Sequence, residues 1–367
     1  NCAPRPAVQT ISVRPAPERF NRRGRANRYG LHGGPGRTIG SRPATRSPFL
    51  ARPIATRITD FLAYAAVRVA ICVIQALPRP ACERGARGLA RFVARRLKIR
   101  RGVVRDNLRT AFPAWGEPEI DRTIEGMWEH FLLMVVEIAH AGRVIGKTTW
   151  RRHLRIHGME RMVRLLWADR PKVILSGHYG NFELAAYLFG VFGFRIFSVA
   201  RELDNPLLDR FVTEFRESRG QRILPKKGSA PDVTLALEAN GAIGLLGDQA
   251  AGPKGCWVEF FGRPASVHKA IGLFAVSSGA PIMVCSATRR DGLFDYDLRI
   301  EGTADPALGQ PETAGLKEVS QWYTSLLERS IRRAPEQYWW VHRRWRGEPP
   351  QATVPRRADP SPAPRAA

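Results

Sequence analysis

The sequence predicts an α/β fold, in which helices flank a mixed, partly parallel sheet, preceded by an N-terminal membrane-associated helix. From residue 154 onward, short apolar runs alternate with longer segments of helical periodicity, which is typical of an α/β domain. Ahead of that region, residues 58–77 form a long apolar stretch. Hydrophobic residues make up 44% of the 367 residues, which is enough to build a substantial core.

The apolar stretch at 58–77 is the membrane candidate of this sequence. Arg68 lies near its centre, and its uninterrupted apolar part falls short of the about 20 residues that a spanning helix needs. It therefore crosses the bilayer, dips into one leaflet with Arg68 reaching the headgroups, or packs as a core helix. Residues 84–101 follow with many arginines interleaved with apolar side chains, a pattern that favours an anionic membrane surface. We assign 58–101 to membrane-associated apolar and basic helices.

The two ends of the chain have a different composition. Residues 1–57 are rich in Arg, Pro and Gly and almost lack acidic residues, and residues 347–367 are rich in Pro. Both segments are predicted to be disordered. The first methionine of the chain is Met127, which indicates a fragment or an over-extended translation, so we expect 1–57 to have no part in the fold.

Residues 117–141 carry helical spacing and place three polar side chains, His130, Glu137 and His140, on one face. One interpretation is a metal site or a second catalytic cluster. The other is a polar stripe packed against a groove, which the spacing favours because metal-binding helices usually place their ligands four residues apart.

The alternating region predicts the central sheet and its helices. Strands are predicted at 173–176, 195–199, 222–224, 242–246, 282–287 and 296–301. Helices are predicted at 181–191, 206–218, 232–239, 267–277 and 316–334. The catalytic domain is expected to span residues 102–346.

A histidine and a carboxylate stand five positions apart in the run H-Y-G-N-F-E at 178–183. On one continuous helix their side chains would point about 140° apart, at roughly 100° per residue. They meet if His178 follows a buried strand and Glu183 lies on the first turn of the next helix. A carboxylate that orients an imidazole is typical of general-base catalysis. The helix N-terminus nearby is expected to lower the pKa of His178.

Further polar residues follow other predicted strands: Arg201, the pair Lys226 and Lys227, and Asp248. Binding crevices in α/β sheets lie at the carboxyl ends of parallel strands. If these strands run parallel, the side chains gather with His178 on one rim of the sheet.

Five blocks in order resemble the bacterial lipid A late (secondary, lauroyl/myristoyl-type) acyltransferases, within the lysophospholipid and glycerolipid acyltransferase superfamily. They are H-x4-E at 178–183, V-A-R-E-L-D-N-P at 199–206, G-L-L-G-D-Q at 244–249, F-F-G-R-P-A at 260–265 and Q-Y-W-W-V-H-R-R-W at 337–345. The resemblance covers residues 58–346. It implies a glycerolipid acyltransferase-like fold at the bacterial inner membrane, with the active site facing the cytoplasm.

The resemblance also implies the chemistry. A fatty acyl chain passes from an acyl thioester, with acyl carrier protein as the donor, to a hydroxyl of a lipid A precursor. No G-x-S-x-G elbow is present, so the acceptor hydroxyl is expected to attack directly. His178 is the predicted general base and Glu183 its orienting partner. The predicted substrate-binding residues are Arg201, Asn205, Lys226, Lys227 and Asp248.

Each substrate-binding prediction has a structural alternative. Arg201 binds an acceptor phosphate or the oxyanion, or else forms an ion pair with Glu202 or Asp204. Lys226 and Lys227 form a phosphate rim or a solvated turn. Asp248 orients a substrate sugar or pairs with Arg201, in a direct or a structural role.

Composition limits the cofactors and the competing functions. The five cysteines are scattered and lack a C-x-x-C pair, so neither a disulfide framework nor a zinc site is expected, and no cofactor or metal is predicted. One alternative acceptor is another glycolipid or lysophospholipid, since phosphatidylinositol mannoside acyltransferases carry similar blocks. A nucleic-acid-binding protein is suggested only by the net charge of +25, and no nucleic-acid-binding motif supports it.

Overall fold

The computed structural model describes residues 52–350 and, ahead of them, the backbone of two short paired strands, β1 (His32–Gly33) and β2 (Arg37–Thr38). The predicted disorder of 1–57 is wrong for residues 54–57, because the first helix already begins at Ile54. Apart from β1 and β2, the prediction for residues 1–51 lies outside the described residues. So does the prediction for 351–367, while residues 347–350 form no helix or strand.

The central sheet follows the strand predictions closely. The remaining strands are β3 (Leu154–His157), β4 (Lys172–Ser176), β5 (Ile196–Ala200), β6 (Gln221–Pro225), β7 (Ala242–Leu246), β8 (Cys256–Phe260), β9 (Arg263–Val267), β10 (Ile282–Arg289) and β11 (Tyr296–Ala304). Seven of them form one sheet in the order β3-β11-β10-β4-β7-β5-β6. Strands β10, β4, β7, β5 and β6 run parallel, whereas β11 is antiparallel to β10 and parallel to β3. The mixed, partly parallel sheet is thereby confirmed.

The described helices are α1 (Ile54–Ala76), α2 (Arg79–Phe92), α3 (Arg101–Ala111), α4 (Glu117–Val144), α5 (Met159–Trp167), α6 (Phe182–Val191), α7 (Pro206–Glu217), α8 (Ala230–Glu238), α9 (Lys269–Ser278) and α10 (Leu316–Arg333). A π-helical turn at Val93–Leu97 continues α2. All five predicted helices of the alternating region are present. Strand β3 and the β8–β9 hairpin were not predicted.

Helices cover both faces of the sheet because its central strands are apolar on both sides. In β4, Ile174 belongs to the core with α5 and α6, whereas Val173 and Leu175 belong to the opposite core with α8, α9 and α10. Such strands appear in a sequence as continuous apolar runs instead of alternating patterns.

The basic helix α2 packs into the catalytic domain along one side. Ala90 and Val93 are buried in the same cluster as Trp340, and Asn107 of α3 donates to the carbonyls of Trp340 and His342, each at 2.7 Å. The chain therefore packs continuously across the boundary expected between residues 101 and 102.

Helix α1 is long and apolar, yet none of its residues is buried. By length and composition it is apolar enough to cross a membrane, with a mean hydropathy of 1.6 over its best window. Polar contacts tie it to the domain. The side chain of Asn205 donates to the carbonyl of Asp60 at 2.8 Å, and Gln75 donates to the carbonyl of Ala139 at 2.7 Å.

Candidate active site

The rim predicted at the carboxyl ends of the parallel strands is present. His178 follows β4, Asp248 follows β7, Arg201 follows β5, and Lys226 and Lys227 follow β6. Strands β4 and β7 are neighbours, so His178 and Asp248 are brought into contact. Arg201 lies one strand farther along the rim, and the lysines lie at its edge.

The contact of His178 with Asp248 is the central feature of the rim. The His178 Nδ1 atom lies 2.9 Å from Oδ1 of Asp248, which is nearly fully buried. A carboxylate accepts only, so Nδ1 carries the proton and Nε2 is left with its lone pair. The amide nitrogen of Gln249 lies 3.4 Å from Nε2. This is the tautomer that a general base requires.

Electrostatics supports the same assignment. Burial acts to lower the pKa of His178, but the charge and hydrogen bond of Asp248 outweigh it, with a smaller contribution from Glu183, and the pKa is raised. Burial acts to raise the pKa of Asp248, but His178 and backbone N–H groups hold it below its usual range. The expected lowering of the His178 pKa by the helix N-terminus is therefore wrong, because a neighbouring full charge acts more strongly than helix-end partial charges.

The predicted hydrogen bond between Glu183 and His178 is absent, and Asp248 takes that place. Glu183 lies on the first turn of α6, as expected, but its carboxylate pairs with Arg216 of α7. The Arg216 Nε donates to Oε2 at 3.0 Å, and Nη2 donates to Oε1. Glu183 therefore acts on His178 through charge, at longer range.

The turn that carries His178 is fixed from several sides. Gly180 has a φ of +60°, and a Cβ atom there would lie 2.1 Å from the Ala287 carbonyl oxygen, so only glycine fits. Asn181 caps α6 by accepting from the Leu184 N–H at 2.9 Å. Its Nδ2 atom donates to Glu137 at 3.1 Å, which links the turn to helix α4.

The polar face of α4 forms a buried ion pair and no metal site. Glu137 is fully buried and binds Arg289 through two of its nitrogens. His130 accepts from Arg289 at 2.8 Å, and the His140 ring bonds to the carbonyl of Val136 at 3.0 Å. Within residues 52–350, no group of three or more His, Cys, Asp and Glu side chains is placed to hold a metal. The interpretation as a polar stripe agrees with this arrangement.

The remaining predicted substrate-binding residues differ in their surroundings. Arg201 pairs with Asp204 at 3.2 Å, and the two side chains are 77% and 93% exposed, so this pair is weak. The Lys226 Nζ atom lies 3.4 Å from Nε2 of His268, and Lys227 is exposed. Asn205 has a structural role in place of the predicted substrate-binding role. Its Oδ1 atom caps α7, and its Nδ2 atom donates to the Asp60 carbonyl.

Two residues beside the histidine were missed. Gln249 follows Asp248 directly, and the paired D-Q of that block was its only sequence signal. His342 accepts a hydrogen bond from the Ala250 N–H at 3.1 Å, and burial lowers its pKa. His342 belongs to the block at 337–345, from which no site residue was predicted.

A cavity of about 110 Å³ opens between α6 and the sheet beside the histidine. Phe182 lines it, and its ring lies 5.0 Å from the His178 ring. Most of the other lining side chains are apolar, contributed by α6 and by strands β4 to β7. Glu183 and Arg216 also line it.

Comparisons with known proteins identify the family of this chain. A family model for bacterial lipid A biosynthesis acyltransferases matches residues 52–347. The chain is 28% identical to a lipid A biosynthesis lauroyltransferase of Escherichia coli K12 over 297 residues, which covers 79% of this chain and 92% of the relative. It is 25% identical to an Escherichia coli K12 lipid A biosynthesis palmitoleoyltransferase over 260 residues, which covers 69% of this chain and 81% of the relative.

Among solved structures, the 1-acyl-sn-glycerophosphate acyltransferase PlsC from Thermotoga maritima matches with a TM-score of 0.34 and 13% identity. The match covers 63% of this chain and 87% of that one. At this distance the similarity carries no argument about the site. The family match spans most of the sequence and includes His178 and Asp248. The chain is therefore an acyltransferase, and it belongs to the bacterial lipid A biosynthesis acyltransferase family.

Proposed function

We propose that this protein is a membrane-bound O-acyltransferase that transfers a fatty acyl chain from an acyl thioester to a hydroxyl of a lipid A precursor. The observation that carries the proposal is the His178–Asp248 pair beside an apolar cavity. The relatives, whose names include lipid A biosynthesis lauroyltransferase and palmitoleoyltransferase, supply the acceptor class.

In the proposed reaction, His178 Nε2 removes the proton of the acceptor hydroxyl as its oxygen attacks the thioester carbonyl. A tetrahedral oxyanion forms, with the imidazolium stabilised by the Asp248 carboxylate. The oxyanion then collapses, the carbon–sulfur bond breaks, and the leaving thiolate takes the proton from Nε2. The ester and the free thiol are the products, and His178 returns to its neutral form.

Gln249 is the proposed donor to the oxyanion. Its amide nitrogen lies 3.4 Å from His178 Nε2, so when the hydroxyl oxygen held by the base attacks the thioester carbon, the carbonyl oxygen bonded to that carbon forms close to this amide. A neutral amide that donates to developing negative charge is a common device in acyl transfer, and losing one such donor costs about 100-fold or more in rate.

The apolar cavity is the proposed site of the acyl chain. Its lining of Ile174, Ala185, Phe189 and Val199 offers dispersion contacts and excludes water. Glu183 and Arg216 are proposed as positioning residues that fix the cavity wall next to Phe182. Their mutual ion pair keeps both charges compensated in this partly buried place.

Acceptor binding is assigned to the exposed cations of the rim. Among residues 52–350, Arg201 pairs weakly with the exposed Asp204, so a phosphate of the acceptor competes for it readily. Lys226 and Lys227 extend the positive charge along the rim toward β6. Their position suits an anionic headgroup that lies across the carboxyl ends of the strands.

Membrane attachment is assigned to α1 and to the exposed side of α2. Leu89 and Phe92 are each 49% exposed on the side of α2 that faces away from the buried Ala90. Exposed apolar side chains among arginines suit an anionic bilayer surface. We place the protein at the inner membrane with the rim facing the cytoplasm, where acidic acyl carrier protein would deliver the acyl chain.

The test is a transfer assay with purified protein in detergent. Labelled lauroyl–acyl carrier protein and a tetra-acylated lipid A precursor are the substrates, and mass spectrometry of the lipid product is the readout. One added acyl chain, absent with His178→Ala, supports the proposal. Transfer to lysophospholipid or to phosphatidylinositol mannoside, but not to the lipid A precursor, would show that the acceptor is that lipid and would contradict the proposed acceptor. Equal turnover by a folded His178→Ala protein would refute the mechanism.

A further inference from the structure

The acyl cavity contains a polar pair away from the catalytic histidine. Ser198 of β5 donates to Oε1 of Gln221 in β6 at 3.2 Å, and both residues line the cavity. Gln221 is 4% exposed, and its Nε2 atom has no hydrogen-bond partner among the described residues. An unpaired buried amide costs about 1–3 kcal/mol, so its retention beside an apolar cavity calls for a ligand atom.

Strand register places this pair far from the reaction centre. Gln221 pairs with Ile196, which pairs with Ala242, and Ala242 pairs with Lys172 at the start of β4. His178 follows the other end of β4. The four steps from Lys172 to Ser176 span about 13 Å at roughly 3.3 Å per residue, and His178 lies beyond them. An acyl chain with its carbonyl at His178 would therefore meet Gln221 near its far end.

We infer that the far end of this cavity is a polar subsite for an oxygen atom carried near the end of the acyl chain, remote from the thioester. The inference rests on the proposed function, because it assigns the cavity to the acyl chain. A methyl terminus placed there would leave the Gln221 amide unpaired. A hydroxyl would satisfy it.

The chemistry selects a hydroxyl over other polar groups. If the Gln221 amide is turned by 180°, its oxygen and nitrogen exchange places, and the cavity then presents an acceptor in place of a donor. A hydroxyl serves in both cases because it donates and accepts. A charged terminus is disfavoured, since Arg216, the cation that lines the described cavity, is already engaged by Glu183.

The experiment is a competition between two acyl donors. Full-length protein in detergent receives equal amounts of dodecanoyl– and 12-hydroxydodecanoyl–acyl carrier protein with the lipid acceptor, and mass spectrometry gives the product ratio. We expect a preference of about tenfold for the hydroxylated chain, equivalent to 1.4 kcal/mol. Gln221→Leu, which has a similar volume and needs no partner, should abolish it. Ile223→Val alters the same cavity without changing its polar groups and should keep it.

The outcomes separate this inference from the proposed function. Equal use of both donors by the wild-type protein, or an unchanged preference in Gln221→Leu, overturns the polar subsite while leaving acyl transfer in place. If neither donor is consumed, the proposed function fails. The polar subsite is then tested by the binding of free fatty acids. Free 12-hydroxydodecanoate should then raise the melting temperature more than dodecanoate does in the wild-type protein, and not in Gln221→Leu. An equal rise for both acids overturns it.

Discussion

At the scale of single residues, two carboxylates approach His178 and only one binds it. Asp248 is buried and accepts from Nδ1, whereas Glu183 is engaged by Arg216. The two carboxylates therefore have different roles. Asp248 fixes the tautomer and stabilises the imidazolium, and Glu183 compensates an arginine at the cavity wall.

The role of Asp248 predicts the pH dependence of the reaction. His178 acts as a base only when neutral, so activity rises as the pH passes upward through its raised pKa. Asp248→Asn removes the negative charge, which lowers that pKa and moves the acid limb of the kcat/KM profile to lower pH. Turnover should also fall by about 100-fold or more, because the imidazolium loses its counter-charge.

Asp297→Asn is the matched control for Asp248→Asn. Asp297 also bonds a histidine, His157, at 2.9 Å, but this pair is at the surface. Turnover and the pH profile should remain at wild-type values. A profile for Asp248→Asn with an unmoved acid limb would contradict the assignment.

The pair of Glu183 and Arg216 predicts a strongly non-additive double-mutant cycle. Each single alanine substitution leaves the partner's charge uncompensated at the cavity wall, so each should lower turnover. The double variant should lose much less than the product of the two single effects. Glu214→Ala, in an exposed pair with Arg210 on the same helix, serves as the neutral control. Independent effects of Glu183→Ala and Arg216→Ala would mean that Glu183 acts on the reaction by another route.

At the scale of elements, the sequence predicted where the strands end, but it did not predict the hydrogen-bond partners of His178 and Glu183. Apolar runs bounded by polar residues fixed β4 and β7, and the parallel-sheet rule then put their ends on one rim. The pairing of His178 with Asp248 joins residues 70 positions apart, and only the strand order makes them neighbours. Arg216 lies 33 positions from Glu183, which is also beyond the reach of local patterns. Local spacing therefore favoured pairing His178 with the nearer carboxylate, Glu183.

The hairpin of β8 and β9 was missed for a different reason. Its turn runs through Phe261 and Gly262, both with positive φ. Phenylalanine rarely adopts that conformation, so the run F-F-G at 260–262 gave no turn signal. Burial of both aromatic side chains holds this turn in place, because Phe260 and Phe261 pack in the same buried cluster as Trp340.

The exposed apolar side chains of α1 predict that this helix anchors the protein at the membrane. Phe61, Leu62 and Val69 are exposed apolar side chains on this helix. Replacing all three with Asp should release the protein from inner-membrane fractions, since an acidic side chain in the hydrocarbon costs about 2.5–3.5 kcal/mol at a helix centre. Leu308→Asp, at a site 72% exposed outside α1, should leave the fractionation unchanged. A triple variant that stays membrane-bound would place the anchor elsewhere.

At the scale of the whole molecule, a buried ion pair joins the helical layer to the sheet beneath the catalytic turn. Glu137 of α4 binds Arg289 of β10, accepts from the Phe294 N–H at 2.9 Å and accepts from Asn181 of the turn. Three separate parts of the fold thus depend on one carboxylate. The sequence pattern identified the polar face of α4, but its partner arginine lies 152 residues away.

This arrangement predicts a large stability loss for Glu137→Gln. The variant keeps its shape but leaves the Arg289 charge buried without compensation, which typically costs about 3–5 kcal/mol. Glu137→Gln/Arg289→Met removes the charge as well and should recover a measurable part of that loss. Denaturant unfolding in detergent measures both variants, and Glu160→Gln, from the exposed pair with Arg164, should stay within about 0.5 kcal/mol of the parent. If the double variant is less stable than Glu137→Gln alone, the cost arises from the lost hydrogen bonds of Arg289 and not from its unpaired charge.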